Sequence, residues 1–229
     1  MDSAINWPTE PEELAALQAE LRQVAGELWL PPPERQLRIG ACFVCFAPRA
    51  EGEDDDPAWA AAAVTTNRRF REAVVISGRG GGPYRPGLMA LREGALLERA
   101  VRALSAPPEV LLVNATGRDH PRRAGLALHL GAVVDIPSVG VTHRTLAAAG
   151  EEPGFERGAI SPLVLDDDHV GYWLRTRPGA RPIAVTAAWR TDPDVAAEAV
   201  MRAVRKARTP EPMRRARRAA RLARAGVTP

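Results

Sequence analysis

Apolar residues recur at three- and four-residue intervals from Pro11 onward. Leu14, Leu17, Leu21, Val24 and Leu28 share one face, which predicts a helix over about 11–28. Thr9 stands where a cap would, Glu12 and Glu13 suit the positive end, and PPPE at 31–34 stops the helix. LRIGACFVCF (37–46) is apolar and aromatic, as in a buried strand. WAAAAVTTN (59–67) and FREAVVISG (70–78) predict two more strands joined by the turn NRR, although alanine is a poor strand former. A helix follows over about 88–104, with Leu91, Leu97, Val101 and Leu104 inside.

EVLLVNATG (109–117) is a continuous apolar run between breakers, the pattern of a central parallel strand. A helix from Pro121 to about Gly131 and the short strand IPSVGVT (136–142) come next. SPLVLDDDHVGYWLRT (161–176) predicts a hairpin turning at Asp166–Asp168. A strand near PIAVTAAW (182–189) and a helix from Pro193 to about Arg205, capped by Thr191 or Asp192, end the pattern. Three antiparallel strands running into parallel crossovers imply an α/β fold, a mixed sheet with helices on both faces. One domain over 1–205 and a basic tail or helix over 206–229 are expected.

Composition narrows the classes. With 45% hydrophobic and 26% charged residues in 229, the chain suits one globular domain. No apolar run nears the roughly 18 residues of a membrane span. Residues 1–9 lack a basic segment followed by an apolar one, so a cytoplasmic protein with no membrane role is expected. Residues 1–60 hold 12 acids and 4 bases, leaving the rest strongly positive. Residues 202–224 hold ten bases against the single acid Glu211. That asymmetry fits either a solvated tail or an arginine arm on nucleic-acid phosphates.

Cys42 and Cys45, the only cysteines, are three apart on a predicted strand and so face opposite ways. That argues for small buried hydrophobes rather than a redox pair. Two segments carry more chemistry. GPYRPGLMALRE (82–93) ends in Glu93 early in a helix, after the glycine-rich GRGGGP, which lacks the ending of a phosphate-binding P-loop. LLVNATGRDHPRRAGLALHLG (111–131) places Asn114 and His120 just beyond a strand's carboxyl end, where α/β sheets collect their sites. Tyr84, between two prolines, either stiffens its loop or stacks on a base; His120 either caps the next helix or meets phosphate or water. Arg118, Arg122 and Arg123 surround His120 in sequence and are candidates for phosphate.

PYRPGLMALRE, GRDHPRRAGLALHLG and IPSVGVTH, in this order and spacing, resemble the endonuclease V family over about residues 10–205. The resemblance implies a ribonuclease H-like fold and Mg²⁺-dependent (or Mn²⁺-dependent) cleavage of DNA or RNA near a deaminated base, typically inosine. It implies a strand-separating wedge at Pro83, Tyr84, Arg85, Pro86 and Gly87. It also matches Glu93 and His120 to the family's site, while Phe43 and Asn114 fall where metal-binding aspartates stand. His143 falls at a family lysine and Trp189 at a later histidine.

Phe43 offers no ligand, and Asn114 offers a carbonyl without charge. Glu93, with Asn114 or Asp119, is then the remaining candidate for a metal, and a two-ion clamp is hard to build. Three functions follow: a nucleic-acid binder with a degraded metal centre, an active nuclease with a site rearranged around Glu93, Asp119 and His120, or an interaction scaffold that uses the acidic insertion at 51–56.

Overall fold

Side-chain alternation along the strands sets the layers. In this computed structural model, which describes residues 6–24, 26–33, 36–48, 52 and 55–227, the chain forms five helices and eight strands among those residues. The first half contains α1 (Pro11–Gln23), β1 (Arg38–Phe46), β2 (Pro57–Thr66), β3 (Arg69–Arg79), α2 (Met89–Arg102) and β4 (Val110–Val113). The second half contains α3 (Leu126–Val134), β5 (Ser138–Thr142), β6 (Ile160–Leu165), β7 (Asp168–Leu174), β8 (Ile183–Ala187), α4 (Pro193–Ala203) and α5 (Glu211–Arg224).

The strands make one sheet in the order β3-β2-β1-β4-β5-β8-β7-β6. β1, β2 and β3 are antiparallel, β1, β4 and β5 are parallel, and β8, β7 and β6 extend the sheet antiparallel. This is the mixed sheet that the strand pattern implied, in the ribonuclease H-like arrangement implied by the resemblance. Helices α1, α2 and α3 cover one face, joined through Leu14, Leu97, Leu111 and Leu128. Helices α4 and α5 cover the other. Even-numbered Cys42, Val44 and Phe46 face the first layer, whereas Phe43 and Cys45 face α5.

The alanines of β2 now have a cause. Ala60 and Ala62 pack toward α2 while Ala61 and Ala63 meet Ala216, Ala219 and Ala220 of α5, so the strand lies between two close layers. Small side chains permit that approach at the expense of strand propensity. The basic C-terminal segment is therefore not a frayed tail through 211–224. It is a helix seated on the sheet by a narrow alanine stripe.

Two helix boundaries differ from the periodicity. α1 ends at Gln23 rather than Leu28, because the chain beyond bonds elsewhere: Trp29 N–H donates to the Arg190 carbonyl at 2.9 Å and Arg190 Nε donates to the Glu27 carbonyl at 3.1 Å. α3 starts at Leu126 rather than Pro121, because Arg123 sits at φ +59, a left-handed conformation that no helix accommodates. The helix at 193 begins as expected, with the Asp192 side chain accepting from Val195 N–H at 2.7 Å. Within the acidic insertion, residues 51, 53 and 54 lie outside the described residues. Asp55 and Asp56 pair with Arg79 and Arg92. No described helix is long and apolar enough to cross a membrane.

Candidate nucleic-acid site

Three loops enclose a cavity of about 220 Å³ at the carboxyl ends of β4 and β5. The 80–88 segment brings Tyr84, Pro86 and Gly87, the chain after β4 brings Asn114 and His120, and the chain after β5 brings Arg144 and Leu146. Gln18 of α1 closes one side, and no lining residue is acidic. The volume is below the roughly 300–1,000 Å³ of drug-sized sites, which suits one planar base. Tyr84 stands at the rim with 58% of its surface exposed.

The wedge loop is fixed through one carbonyl. Gly87, at φ +78, turns its oxygen toward His120 Nε2 (3.1 Å) and Arg122 Nη2 (3.1 Å). Arg122 Nε also donates to Gln18 Oε1 at 2.6 Å. Arg122 N–H donates to His120 Nδ1 at 3.1 Å, so Nδ1 accepts and the proton resides on Nε2, facing Gly87. Burial first, then the Arg122 charge, lowers the His120 pKa, while the Gly87 bond and Asp119 oppose the shift. Both ring nitrogens are engaged in this neutral tautomer. His120 thus joins the wedge loop to the β4 exit loop instead of presenting a free nitrogen to phosphate or water.

The arginine cluster around His120 likewise disperses. Arg123 is buried and donates to the Leu165 carbonyl, with Asp166 and Asp168 each at 3.3 Å. It anchors the β6–β7 hairpin. Arg118 reaches only toward the Arg22 carbonyl at 3.4 Å, and its partly buried guanidinium has a lowered pKa through desolvation. Asp119 is fully buried and accepts from the N–H groups of Leu146, Ala147 and Ala148 at 2.8, 2.8 and 2.7 Å. That carboxylate organises the loop carrying Arg144 and Leu146; it is no spare metal ligand.

Glu93 lies one turn into α2 from the cavity-lining Met89 and Ala90, with 9% of its surface exposed. Desolvation pushes its carboxyl up to about 8, opposed by Arg92. The β1 residue whose thiol feels the Glu93 charge is Cys42, and burial with that charge raises the Cys42 pKa. Phe43 is on the other face, with the Arg217 guanidinium 5.0 Å from its ring centroid. His143 also leaves the cavity: its exposed ring is shifted down by desolvation and by Arg208 and Arg217, while its neighbours Thr142 and Arg144 line the cavity. Trp189 lies just past β8, its carbonyl accepting from the N–H of Ser138 at the start of β5 at 2.9 Å, and it contributes nothing to the lining. Among the described residues no group of three or more His, Cys, Asp or Glu could hold a metal ion.

Sequence reasoning missed three supports. Gln18 interrupts the apolar face of α1 between Leu14 and Leu21, and a polar residue on a buried stripe is the signal for it. Arg92 donates to the Gly82 carbonyl at 2.8 Å, pairs with Asp56 at 2.5 Å and stacks 3.9 Å from the Phe46 centroid. Asp56 then accepts from Gly52 N–H, and the Gly52 carbonyl accepts from Tyr84 N–H at 2.6 Å. The acidic insertion therefore buttresses the wedge loop.

Residues 33–218 match the family model described as Endonuclease V, a span that runs into α5. Endonuclease V of Streptomyces avermitilis is 35% identical over 216 residues, 92% of this chain and 90% of that protein. Its crystal structure superposes with a TM-score of 0.86, covering 96% of both chains. Endonuclease V of Xanthomonas campestris pv. campestris is 41% identical over 138 residues, 60% of this chain and 58% of that one. A Ciona intestinalis endonuclease V, solved with a 24mer DNA containing an inosine followed by a ribo-adenosine, shares the fold at TM-score 0.80 and 19% identity, covering 94% of this chain and 98% of that chain. On the family match and the full-length likeness to the Streptomyces protein, the chain belongs to the endonuclease V family.

Proposed function

We propose that this chain is a cytoplasmic nucleic-acid-binding member of its family, with weak or no phosphodiester cleavage. Tyr84 offers an exposed ring for stacking or wedging, and the acid-free cavity beneath it suits a single base. By likeness to the inosine complex of the Ciona protein, we assign that cavity to a deaminated base in DNA or RNA.

The observation that carries the impaired reading is the setting of Glu93. Mg²⁺ chemistry at a phosphodiester requires several oxygen ligands whose charge balances the ion. Cys42, rather than Phe43, is on the α2 side of β1, where burial first and then the Glu93 charge keep its thiol protonated. Asn114 brings no charge, and Asp119 is committed to three backbone donors. These residues do not fit a Mg²⁺ or Mn²⁺ centre, and the rearranged alternative built on Glu93, Asp119 and His120 loses two of its three members to structural bonds.

Incubation with inosine-containing single- and double-stranded DNA and RNA, with Mg²⁺ or Mn²⁺, tests this. Binding without cleavage is expected. Cleavage that vanishes in Glu93→Ala overturns the impaired reading. The double variant Cys42→Asp/Asn114→Asp is expected to gain cleavage, whereas Phe43→Asp/Asn114→Asp is not, because residue 43 points at α5. Failure to bind any oligonucleotide at low salt leaves the scaffold reading instead.

A further inference from the structure

Across the sheet from the cavity, α5 buries Met213, Ala216, Ala219 and Ala220 and turns its arginines outward. Glu211 pairs with Arg214 and Arg215, each at 2.8 Å. Arg214 is joined by Arg208, Arg217, Arg218 and Arg221 in lining an open groove of about 480 Å³ with no acidic residue among its described lining. The cations there oppose one another. The Arg217 pKa is lowered by desolvation and by Arg221, and His143 is lowered by burial and then by Arg208 and Arg217. Partly desolvated like charges gathered in a concavity are stabilised by an anion, and guanidinium forks match phosphate oxygens two at a time.

The position of the groove identifies the phosphate source. Arg208 of the groove donates to the Pro182 carbonyl at 2.6 Å, and Pro182 leads into β8 where Ala184 pairs with Thr142, a residue that lines the cavity. The base-sized cavity and the arginine groove therefore both lie at the carboxyl end of β5. We propose that the α5 groove holds the sugar–phosphate backbone of the same nucleic-acid strand whose base enters the cavity. This inference rests on the nucleic-acid reading above and adds a second face to it. The wedge side selects, and the α5 side supplies non-specific, salt-sensitive attachment.

The test is a salt titration of oligonucleotide binding by fluorescence anisotropy, using single-stranded DNA with one inosine. The proteins are the full chain, Arg218→Gln/Arg221→Gln and Tyr84→Ala. Both arginines are exposed on a helix and glutamine is a good helix former, so circular dichroism should be unchanged. Each phosphate contact on a single strand contributes a slope of about 0.7 in log affinity against log salt. Loss of two contacts is expected to flatten the slope by about 1.4 and to weaken binding about 20-fold at 0.1 M salt. Tyr84→Ala should weaken binding with the slope unchanged, since stacking releases no counterions.

An unchanged slope and affinity in the double glutamine variant, with Tyr84→Ala impaired, overturns the groove and leaves the cavity reading standing. A flattened slope with Tyr84→Ala silent does the reverse. Inorganic tripolyphosphate is the control for source: displacement of a long oligonucleotide no weaker than that of a trinucleotide assigns the groove to free phosphates and overturns the strand path. Absence of binding by the full chain at low salt removes both.

Discussion

Desolvation holds the Glu93 carboxyl at about 8, above its ordinary value near 4.5. The folded state therefore keeps a proton that the unfolded chain releases between those values. Stability from this group is complete below about 4.5, falls as pH rises through the window to about 8, and is constant above it. Glu93→Gln mimics the protonated form. It is expected to match the native protein at pH 5 and to exceed it at pH 9 by on the order of a few kcal/mol in urea unfolding. Asp119→Ala removes the acceptor of three N–H groups, of which that of Ala148 is buried, and is expected to destabilise by about 1–3 kcal/mol. At this scale the motifs did place Tyr84 and Asn114 around one cavity, with Glu93 a turn further into α2. The sequence misled where one position decides the face. Phe43 and Cys42 are adjacent, yet alternation sends one ring to α5 and one thiol to the α2 side.

At the scale of elements, every strand segment and the order of antiparallel then parallel pairing were legible in the apolar runs. α5 as a packed helix was not. Its inward stripe is Met213, Ala216, Ala219 and Ala220 among six arginines, and alanine contributes too little apolar area to stand out in a hydropathy pattern. What seats the helix is fit against Ala61 and Ala63 of β2. Ala216→Leu, at a position with 0% exposure, is expected to overpack that seam and lose about 1–3 kcal/mol, read by denaturant midpoint. The wedge loop depends on a chain of bonds from α1 through Arg122 and His120 to Gly87. His120→Ala removes the Nε2 donor and the Nδ1 acceptor together. It is expected to cost about 1–3 kcal/mol and to raise proteolytic cleavage within residues 80–88, while leaving α2 protected from hydrogen exchange. A histidine acting only on substrate would leave the free protein's protease pattern untouched.

For the molecule as a whole, the two faces of the sheet divide the charge. The acids that matter to the α1–α3 side are spent on support: Asp56 on Arg92, Asp119 on three amides, Glu98 on Trp7 at 2.7 Å. Among the described residues that leaves Glu93 without a cluster of acids that could hold an ion. A ligand stabilises a fold only by its differential affinity for the folded state, by about 2.7 kcal/mol at a hundredfold excess over Kd. For a domain of this size such a gain moves the midpoint by roughly 5–10 °C. Millimolar Mg²⁺ is therefore expected to leave the thermal midpoint of this protein unchanged, because one buried acid with a protonated thiol opposite it cannot repay the ion's dehydration. In Cys42→Asp/Asn114→Asp the same addition is expected to raise the midpoint, since three carboxylates then repel one another until a cation arrives. Differential scanning calorimetry of both proteins with and without Mg²⁺ separates this from any effect on substrate. A Mg²⁺-dependent rise in the unmodified chain would mean that Glu93 already has ligands enough, and the impaired centre would have to be abandoned.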